Sequence, residues 1–245
     1  MSSTERLDED EPPVRRVPAV ERVLDHILEE MDAGHLQPGG RVNAARIAAT
    51  LELSVAPVRE ALSILSGRGV VELLQDRGAI MRQLTPNDVI KVWQVVIPIG
   101  AVGLQLAASA IASGADSSTL VEKYAAIRDN PRAIPAVQFL IRTNEYHWAA
   151  HDIARNRYVT LAMDCLGVPY WDRYIVKYVD VQANLDGYLS NYRRMHEAVM
   201  AGDGPAAGEI LRFHAHWSMD LIRKRAMEAV PLLRQRRPKA GAARG

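Results

Sequence analysis

A polar segment in the second half of the chain carries two histidines at the spacing of one helical turn. His147 and His151 lie four positions apart in TNEYHWAAHDIARNRY, with Asn144 and Glu145 just before them. Side chains at positions i and i+4 share one face of a helix. Imidazole and amide groups bind divalent metals and also hydrogen-bond organic molecules. The segment is therefore a candidate metal site, a candidate small-molecule pocket, or an ordinary helix that contains two histidines.

A second set of residues, in the first third of the chain, has the chemistry of nucleic-acid recognition. In the stretch LSVAPVREALSILSGRGVV, Ser54 can cap a helix, and Pro57 is tolerated in the first turn of that helix. Arg59 then lies on the polar face, where a guanidinium can reach base edges or phosphates. The free amides of a helix N-terminus also bind phosphate. This stretch is a candidate recognition helix.

The composition is that of an ordinary globular protein with one cysteine. The 245 residues are 48% hydrophobic and 24% charged, with a formal net charge of +1, so only local charge can indicate a nucleic-acid partner. Cys165 forms no intrachain disulfide, which favours a reducing cytoplasm. The acidic N-terminus is unlike a signal peptide, and no uninterrupted apolar run approaches the roughly 18 residues of a membrane span. We expect a soluble, cytoplasmic protein with no membrane partner.

Residues 17–84 alternate short helical patterns with turns. Apolar residues recur at helical spacing over 20–31, and the glycines and proline of 34–40 end that helix. Residues 46–51 and 54–66 fit two further helices. Two β-rich runs follow, at 70–74 and 79–84, around an Asp76-Arg77-Gly78 turn. Three helices and a β-hairpin are the parts of a winged helix-turn-helix, which predicts a DNA-binding domain over 17–84.

From Pro86 onward every strong apolar period is helical, which predicts an all-α bundle of six to seven helices over 86–230. The whole fold is therefore expected to be mainly α. The helical segments are 86–113, 117–128, 133–154, 158–179, 187–201 and 204–228. The charged residues 1–16 are predicted to form a disordered arm, and the basic residues 231–245 a disordered tail.

The N-terminal domain resembles the GntR family of bacterial transcription regulators. The similarity runs through LQPGGRVNAARIAATLELSVAPVREALSILSGRGVVELLQDRGAIM, in which Pro38-Gly39, the segment 57–62 and Arg77-Gly78 are specific in combination. The resemblance implies a set of DNA-contacting residues in the recognition helix, the wing and the preceding helix. These residues are Ser54, Ala56, Pro57, Arg59, Arg77, Gly78 and Arg46.

Two positions depart from the family pattern. Val55 stands where the family usually has an Arg, and Ala45, next to Arg46, stands where the preceding helix usually has one. A lost bidentate guanine contact changes base preference by about 1–3 kcal/mol, so we expect an operator that differs from the family consensus. Residues 41–82 carry six Arg against four acids, a net charge of +2. A winged helix used for protein contact is the alternative.

The helical half resembles the effector (FCD) domain of the fatty-acid-regulator-like branch of the same family. Leu106-Ala107-Ala108, Tyr146-His147, Asn156 and His214 fit its pattern. The resemblance implies a domain that binds a small-molecule effector and forms a homodimer. Taken over both domains, the resemblance to this family covers almost the whole chain between the two arms.

In many members of this branch, one Asp and three His hold a divalent metal. This chain keeps His147 and His214 at two of the four positions, whereas Thr143 replaces the Asp and Tyr192 replaces the middle His. A Thr hydroxyl and a neutral Tyr are poor ligands for such an ion. No cofactor is therefore certain.

Three arrangements of the remaining polar groups are open. In the first, His147, His196 and His214 form a rearranged site for a zinc-like divalent metal. In the second, the pocket is free of metal and hydrogen-bonds an organic effector through His147, Tyr192 and His214, with Asn144 and His196 beside them. In the third, the histidines are structural.

The pocket is expected to be apolar, because Val96 and Gly100 replace an Arg and a Glu of the family pattern. Several aromatic residues could form flat walls: Trp93, Trp148, Trp171, Tyr146 and Tyr192. Arg142 or Arg155 could pair with a carboxylate, so we expect a hydrophobic or aromatic, carboxylate-bearing effector. Residues His151 and His216 are expected to face elsewhere.

These patterns predict a dimeric, ligand-responsive regulator that represses transcription by binding double-stranded operator DNA. The alternative is a metal-dependent helical-bundle hydrolase or oxygenase built on His147, His196 and His214. Bundle metalloenzymes usually need carboxylate ligands, and no nucleophile–base pair or phosphate-binding glycine loop of the usual spacing occurs. We therefore expect no enzymatic activity.

Overall fold

The structure is a computed structural model that describes residues 18–75, 78–175 and 178–235. It is mainly helical, as predicted. The elements in chain order are α1 (Ala19–Asp32), β1 (Arg41–Val42), α2 (Ala44–Thr50), α3 (Val55–Gly67), β2 (Val71–Leu74), β3 (Gly78–Met81), α4 (Pro86–Ala112), α5 (Ser118–Arg128), α6 (Ala136–Ala154), α7 (Arg157–Cys165), α8 (Val168–Ile175), α9 (Leu185–Met200) and α10 (Gly204–Gln235). A short 3-10 helix, Pro131–Ala133, precedes α6. The predicted arm 1–16 lies outside the described residues, as does the predicted tail beyond 235, whereas residues 231–235 belong to α10.

The first domain has the predicted winged helix-turn-helix fold. Its sheet has the strand order β1-β3-β2 with antiparallel pairing, in which Arg41 lies opposite Ile80 and Val71 opposite Met81. Strand β1 was not predicted, because two residues carry no periodic signal and their pairing with β3 forms only in the folded domain.

The apolar side of α3 fixes which of its residues reach the surface. Val58, Leu62 and Leu65 are at most 1% exposed and belong to the same apolar cluster as Val23 and Ile27 of α1. Each such side chain contributes about 1.5–3 kcal/mol by its burial. The polar side of α3 is held outward as a result.

Helix α4 begins next to the predicted domain boundary, at a capping box. The Thr85 hydroxyl accepts a hydrogen bond from the Asp88 amide (3.2 Å), and the Asp88 carboxylate accepts one from the Thr85 amide (2.9 Å). The Thr85 hydroxyl also donates to that carboxylate (2.7 Å), and these bonds hold the pKa of Asp88 below its usual value. Pro86 fits the first turn, where an amide would lack an intrahelical partner.

Helix α4 is long and apolar enough to cross a membrane by length and composition, with a mean hydropathy of 2.0 in its most apolar window. The expectation from uninterrupted apolar runs missed this, because Gln105 and Ser109 interrupt the run. In the fold, α4 is the central helix of the bundle and packs against α6, α7, α9 and α10. Leu104 and Ala107 are fully buried in the bundle core. Burial in the bundle core accounts for part of the apolar character of α4, since 39% of that window is buried.

Gly167 divides the predicted helix 158–179 into α7 and α8. Its φ of +66° lies in the left-handed region, where glycine is favoured and where helices end. A Cβ at this position would lie 3.2 Å from the Cβ of Arg68 in the first domain. The glycine therefore turns the chain and also lets the two domains approach closely.

Helix α8 belongs to the helical domain, but its side chains contribute to the core of the winged helix. Tyr170, Trp171 and Tyr174 are at most 7% exposed and pack in the apolar cluster of the winged helix. The Tyr170 hydroxyl donates to the Leu24 carbonyl of α1 at 3.4 Å. The two predicted domains are therefore joined by a shared core.

Candidate DNA interface and buried cavity

The N-terminal part of α3 is exposed, as a recognition helix requires. Ser54 occupies the N-cap position, but its hydroxyl makes no capping hydrogen bond, contrary to the expectation. Ser54, Ala56 and Arg59 are exposed, and Pro57 is half-buried. The unpaired amides of the first turn and the Arg59 guanidinium therefore share one end of the helix.

Arg41 is a basic residue of this surface that the sequence interpretation missed. It lines a surface groove of about 470 Å³ together with Arg59. The other lining residues are Asn43, Ala44, Ala45, Val55 and Gly78. Two guanidinium groups beside a helix N-terminus suit the phosphate backbone of a nucleic acid. The available signal was a basic residue directly after the Gly39-Gly40 turn.

Three of the predicted DNA-contacting residues lie outside α3 and its N-cap: Arg77, Gly78 and Arg46. Arg77 lies outside the described residues. Gly78 has a φ of +95°, and a Cβ there would collide with the Val42 carbonyl oxygen, so its first role is to let β3 pair with β1. Arg46 donates to a carboxylate oxygen of Glu30 at 2.9 Å, although its side chain remains 56% exposed. That ion pair ties α2 to α1.

The helical domain contains a mostly apolar cavity of about 80 Å³ between α4, α6, α8 and α10. A single buried water needs roughly 10–15 Å³, so the space accommodates a larger molecule. The lining includes three predicted effector residues, Asn144, His147 and His214, and three positions that depart from the family pattern, Val96, Gly100 and Thr143. None of the lining residues is Asp, Glu, Lys or Arg.

His147 and Tyr192 form the expected pair. The His147 Nε2 lies 3.0 Å from the Tyr192 hydroxyl, although Tyr192 itself is not part of the cavity lining. The Thr143 hydroxyl donates to the Leu140 carbonyl at 2.7 Å. The Asn191 amide nitrogen lies 3.2 Å from the His214 Nδ1. Because an amide NH₂ can only donate, the Nδ1 of His214 accepts this bond.

Burial keeps the three cavity histidines neutral. It lowers the pKa of His147 to about 3, with the charges of His151 and His214 adding to the effect. Burial likewise lowers the pKa of His214 to about 4. It lowers the pKa of His151 to about 4 as well, and the Gly100 carbonyl partly offsets this effect. All three rings are therefore uncharged at neutral pH.

His151 was expected to face elsewhere, and that expectation is wrong. Its side chain lines the cavity and the residue is 1% exposed. The ring lies against Gly103 of α4, where any Cβ would collide with it. Neither ring nitrogen has a hydrogen-bond partner in the described part of the chain.

His196 lies away from the cavity, against the prediction that placed it with His147 and His214. Its ring stacks on Tyr124 of α5 with centroids 4.0 Å apart, and its Nδ1 is 3.4 Å from the Tyr146 hydroxyl. Four residues beyond Tyr192, helix α9 has turned about 40° further, toward α5. His196 therefore belongs to a different surface.

The cavity does not fit a divalent metal. Among the described residues, no three His, Cys, Asp or Glu side chains group closely enough to hold one. His147 and His214 are the family ligands that remain, and the lining has no carboxylate to join them. The residues proposed for the alternative, a metal-dependent enzyme, therefore do not form a metal site.

The other residues considered for the pocket divide between the cavity and its surroundings. Trp93 and Trp148 line the cavity, whereas Trp171 packs on the first domain. Arg142 donates to the Ala126 carbonyl at 2.7 Å, and neither Arg142 nor the exposed Arg155 reaches the cavity. The cavity therefore has no cation for a carboxylate.

A family model described as bacterial regulatory proteins, gntR family, matches residues 19–80. This chain is a DNA-binding transcription regulator of the GntR type. The match extends from α1 to β3, which is the winged helix, and regulators of this type are not enzymes.

Two curated proteins show that the similarity continues into the helical domain of this GntR-type regulator. The "Probable D-xylose utilization operon transcriptional repressor" of Paenarthrobacter nicotinovorans is 25% identical over 199 residues, which are 81% of this chain and 86% of that protein. The uncharacterized HTH-type transcriptional regulator YdhC of Bacillus subtilis (strain 168) is 24% identical over 185 residues, which are 74% of this chain and 80% of that protein.

Two solved structures share the fold over both domains. A transcriptional regulator GntR of Rhodococcus sp. RHA1 superposes with a TM-score of 0.67 at 20% identity, over 85% of this chain and 99% of the other. McbR/YncC of E. coli superposes with a TM-score of 0.68 at 16% identity, over 85% of this chain and 98% of the other. At these identities the likeness concerns the fold.

Proposed function

We propose that this regulator is a cytoplasmic repressor that binds operator DNA as a homodimer and leaves it when a small molecule occupies the cavity of the helical domain. We assign that domain to the FCD type. The observation that carries the proposal is that α8 forms part of the cavity wall and also part of the winged-helix core. Repression is supported by the name of the Paenarthrobacter relative.

On the DNA side, α3 enters the major groove with Ser54, Ala56, Pro57 and Arg59 at its leading end. Arg59 is exposed and forms no ion pair within the described residues, so its guanidinium can reach a base or a phosphate. Arg41 adds a phosphate contact from β1. The wing contributes Arg77 and Gly78, as in the family.

Helix α8 transmits occupancy of the cavity to the DNA-binding domain. Val168 and Ile175 at its ends line the cavity, while Tyr170 and Tyr174 between them pack in the core of the first domain. A volume of about 80 Å³ is well below the roughly 300–1,000 Å³ of a typical ligand pocket. A ligand that exceeds this space must move a wall, and moving α8 changes how the winged helix is held.

The homodimer places two winged helices on two half-sites. Its interface is the exposed side of α4. Val95 and Val102, seven residues apart and so on one face of the helix, are 52% and 42% exposed, and Leu161 of the adjacent α7 is 50% exposed. A helix of this apolarity that leaves such a stripe in solvent fits a second copy of the chain better than water.

The test is a gel shift with DNA from the region upstream of the regulator's own gene, at a fixed, stated salt concentration. We expect specific binding, and we expect Arg59→Ala to weaken it by about tenfold or more, since one bidentate base contact contributes roughly 1–3 kcal/mol. Lys224→Ala, which removes an exposed cation of the helical domain, serves as the control and should leave binding unchanged. Binding without sequence preference, or equal binding by both variants, would overturn the proposal.

A further inference from the structure

Two histidines one turn apart on α6 line the cavity, and each has a buried ring nitrogen without a hydrogen-bond partner in the described part of the chain. The Nδ1 of His147 is buried and has no partner in the described part of the chain, while its Nε2 is engaged by Tyr192. Both ring nitrogens of His151 are buried and unpaired in the same sense. A buried polar atom without a partner destabilises the fold, and a ligand that pairs with it removes that cost.

The fold gives His151 a specific place. Gly103 of α4 has no side chain at the point where the His151 ring lies, and a Cβ there would collide with that ring. Trp148 packs edge-on against the ring with centroids 5.7 Å apart. His151 is thus held at the cavity wall by two neighbours, neither of which satisfies its nitrogens.

The rest of the lining excludes charge. It contains no carboxylate and no Lys or Arg, and two tryptophans, Trp93 and Trp148, provide flat apolar walls. A charged ligand would be buried here without a counterion, which is strongly unfavourable. A planar ring stacks well on indole, and a hydroxyl group can both donate and accept, so it satisfies a neutral imidazole in either tautomer.

We infer that the cavity binds an uncharged ring compound that carries a hydroxyl group, and that His151 is the residue that hydrogen-bonds this hydroxyl. The inference rests on the proposed effector role of the cavity and replaces the carboxylate-bearing effector expected from the sequence.

The experiment compares three probes of similar size by titration calorimetry on the full chain at pH 7.5: phenol, toluene and benzoate. We expect phenol to bind with one site per chain. Toluene, which lacks the hydroxyl, should bind about tenfold more weakly, and benzoate at least about tenfold more weakly, because its charge is not compensated. Benzoate that equals or exceeds phenol, or toluene that equals phenol, would overturn the inference.

Variants locate the hydrogen bond and the site. His151→Phe keeps a ring but removes the nitrogens, so phenol and toluene should bind equally, whereas the control His216→Phe, at an exposed position of α10, should keep the wild-type ratio. Gly100→Ala adds a methyl group to the cavity wall, 3.3 Å from the Leu211 Cδ2, and should weaken all three probes. Phenol binding that neither variant changes would place the probe elsewhere and refute the inference.

The ranking of probes on the wild-type chain needs no variant, so a misfolded His151→Phe protein leaves the test intact. A protein that binds its operator but gives no heat with phenol at millimolar concentration refutes the ligand class and leaves the regulator function standing. Phenol binding with the expected ranking, without operator binding, supports the ligand class and refutes the regulator function.

Discussion

Arg173 of α8 binds Asp32 at the end of α1 through two parallel hydrogen bonds, from Nε to Oδ1 and from Nη2 to Oδ2, each 2.7 Å long. The two side chains are 13% and 26% exposed. They lie 141 residues apart in the chain and belong to different domains. A bidentate Arg–carboxylate pair fixes orientation as well as distance, so this contact sets how α8 is held against the winged helix.

The Arg173–Asp32 pair should contribute measurably to the free energy of unfolding. A double-mutant cycle of Asp32→Asn and Arg173→Gln, measured by urea denaturation, is expected to give a coupling of about 1–3 kcal/mol, because the pair is largely shielded from water. The matched control is the pair Arg132–Asp186, whose side chains are 67% and 85% exposed. Its cycle should give roughly 0.5 kcal/mol or less. Equal couplings in the two cycles would contradict a special role for the α8 contact.

Gly78→Ala should destabilise the protein more than Gly34→Ala. Both glycines have positive φ, +95° and +76°, which costs alanine about 1–2 kcal/mol. At Gly78 the new Cβ also meets the Val42 carbonyl, whereas nothing lies within 4 Å at Gly34. We expect a loss of roughly 2 kcal/mol or more at Gly78 and about 1 kcal/mol at Gly34 from urea denaturation. Similar losses at both sites would show that β1 shifts away from the new Cβ at position 78 without loss of stability.

The buried histidines predict a loss of stability in mild acid. The pKa values of His147, His151 and His214 are lowered to between about 3 and about 4, so the unfolded chain, with ordinary values near 6.5, binds more protons below that pH. Stability is therefore complete above about pH 6.5 and falls as the pH decreases toward 4, by at most about 1.4 kcal/mol per pH unit for each histidine.

Urea denaturation between pH 7.5 and pH 5 tests this dependence, since the stabilising carboxylates Glu30 and Asp88, whose pKa values are lowered, lose their contribution only at lower pH. His151→Phe should reduce the slope in this window, because it removes one of the histidines whose pKa is lowered by burial. A flat profile in the wild-type protein would mean that the rings are hydrated and charged in the folded state.

The proposed dimer surface predicts a difference between two exposed valines. Val102 on α4 and Val121 on α5 are 42% and 44% exposed, so a glutamate at either position is tolerated by a monomer. Val102→Glu should raise the dimer dissociation constant by at least about tenfold, because it buries a charge at the interface, whereas Val121→Glu should not change it. Light scattering after size-exclusion chromatography measures both. An unchanged dimer in Val102→Glu would place the interface elsewhere.

The winged helix could be predicted because its signals are local. The apolar period of α3 and Pro57 in its first turn each act within a few residues of sequence, and the structure has the corresponding helix. Strand β1 could not be predicted in this way, since two residues form a strand only when β3 lies beside them.

For the cavity, the sequence by itself determined that polar groups and apolar walls occur at helical spacing, with His147 and His214 among them and with the family's charges replaced by Val96, Gly100 and Thr143. Only the tertiary structure decided which of the remaining histidines joins them. Periodicity gives the angle of a side chain about the axis of its own helix, but it does not say which neighbour packs on that side. That is why His151, seated against Gly103, lines the cavity, while His196, on a well-predicted helix, stacks on Tyr124 instead.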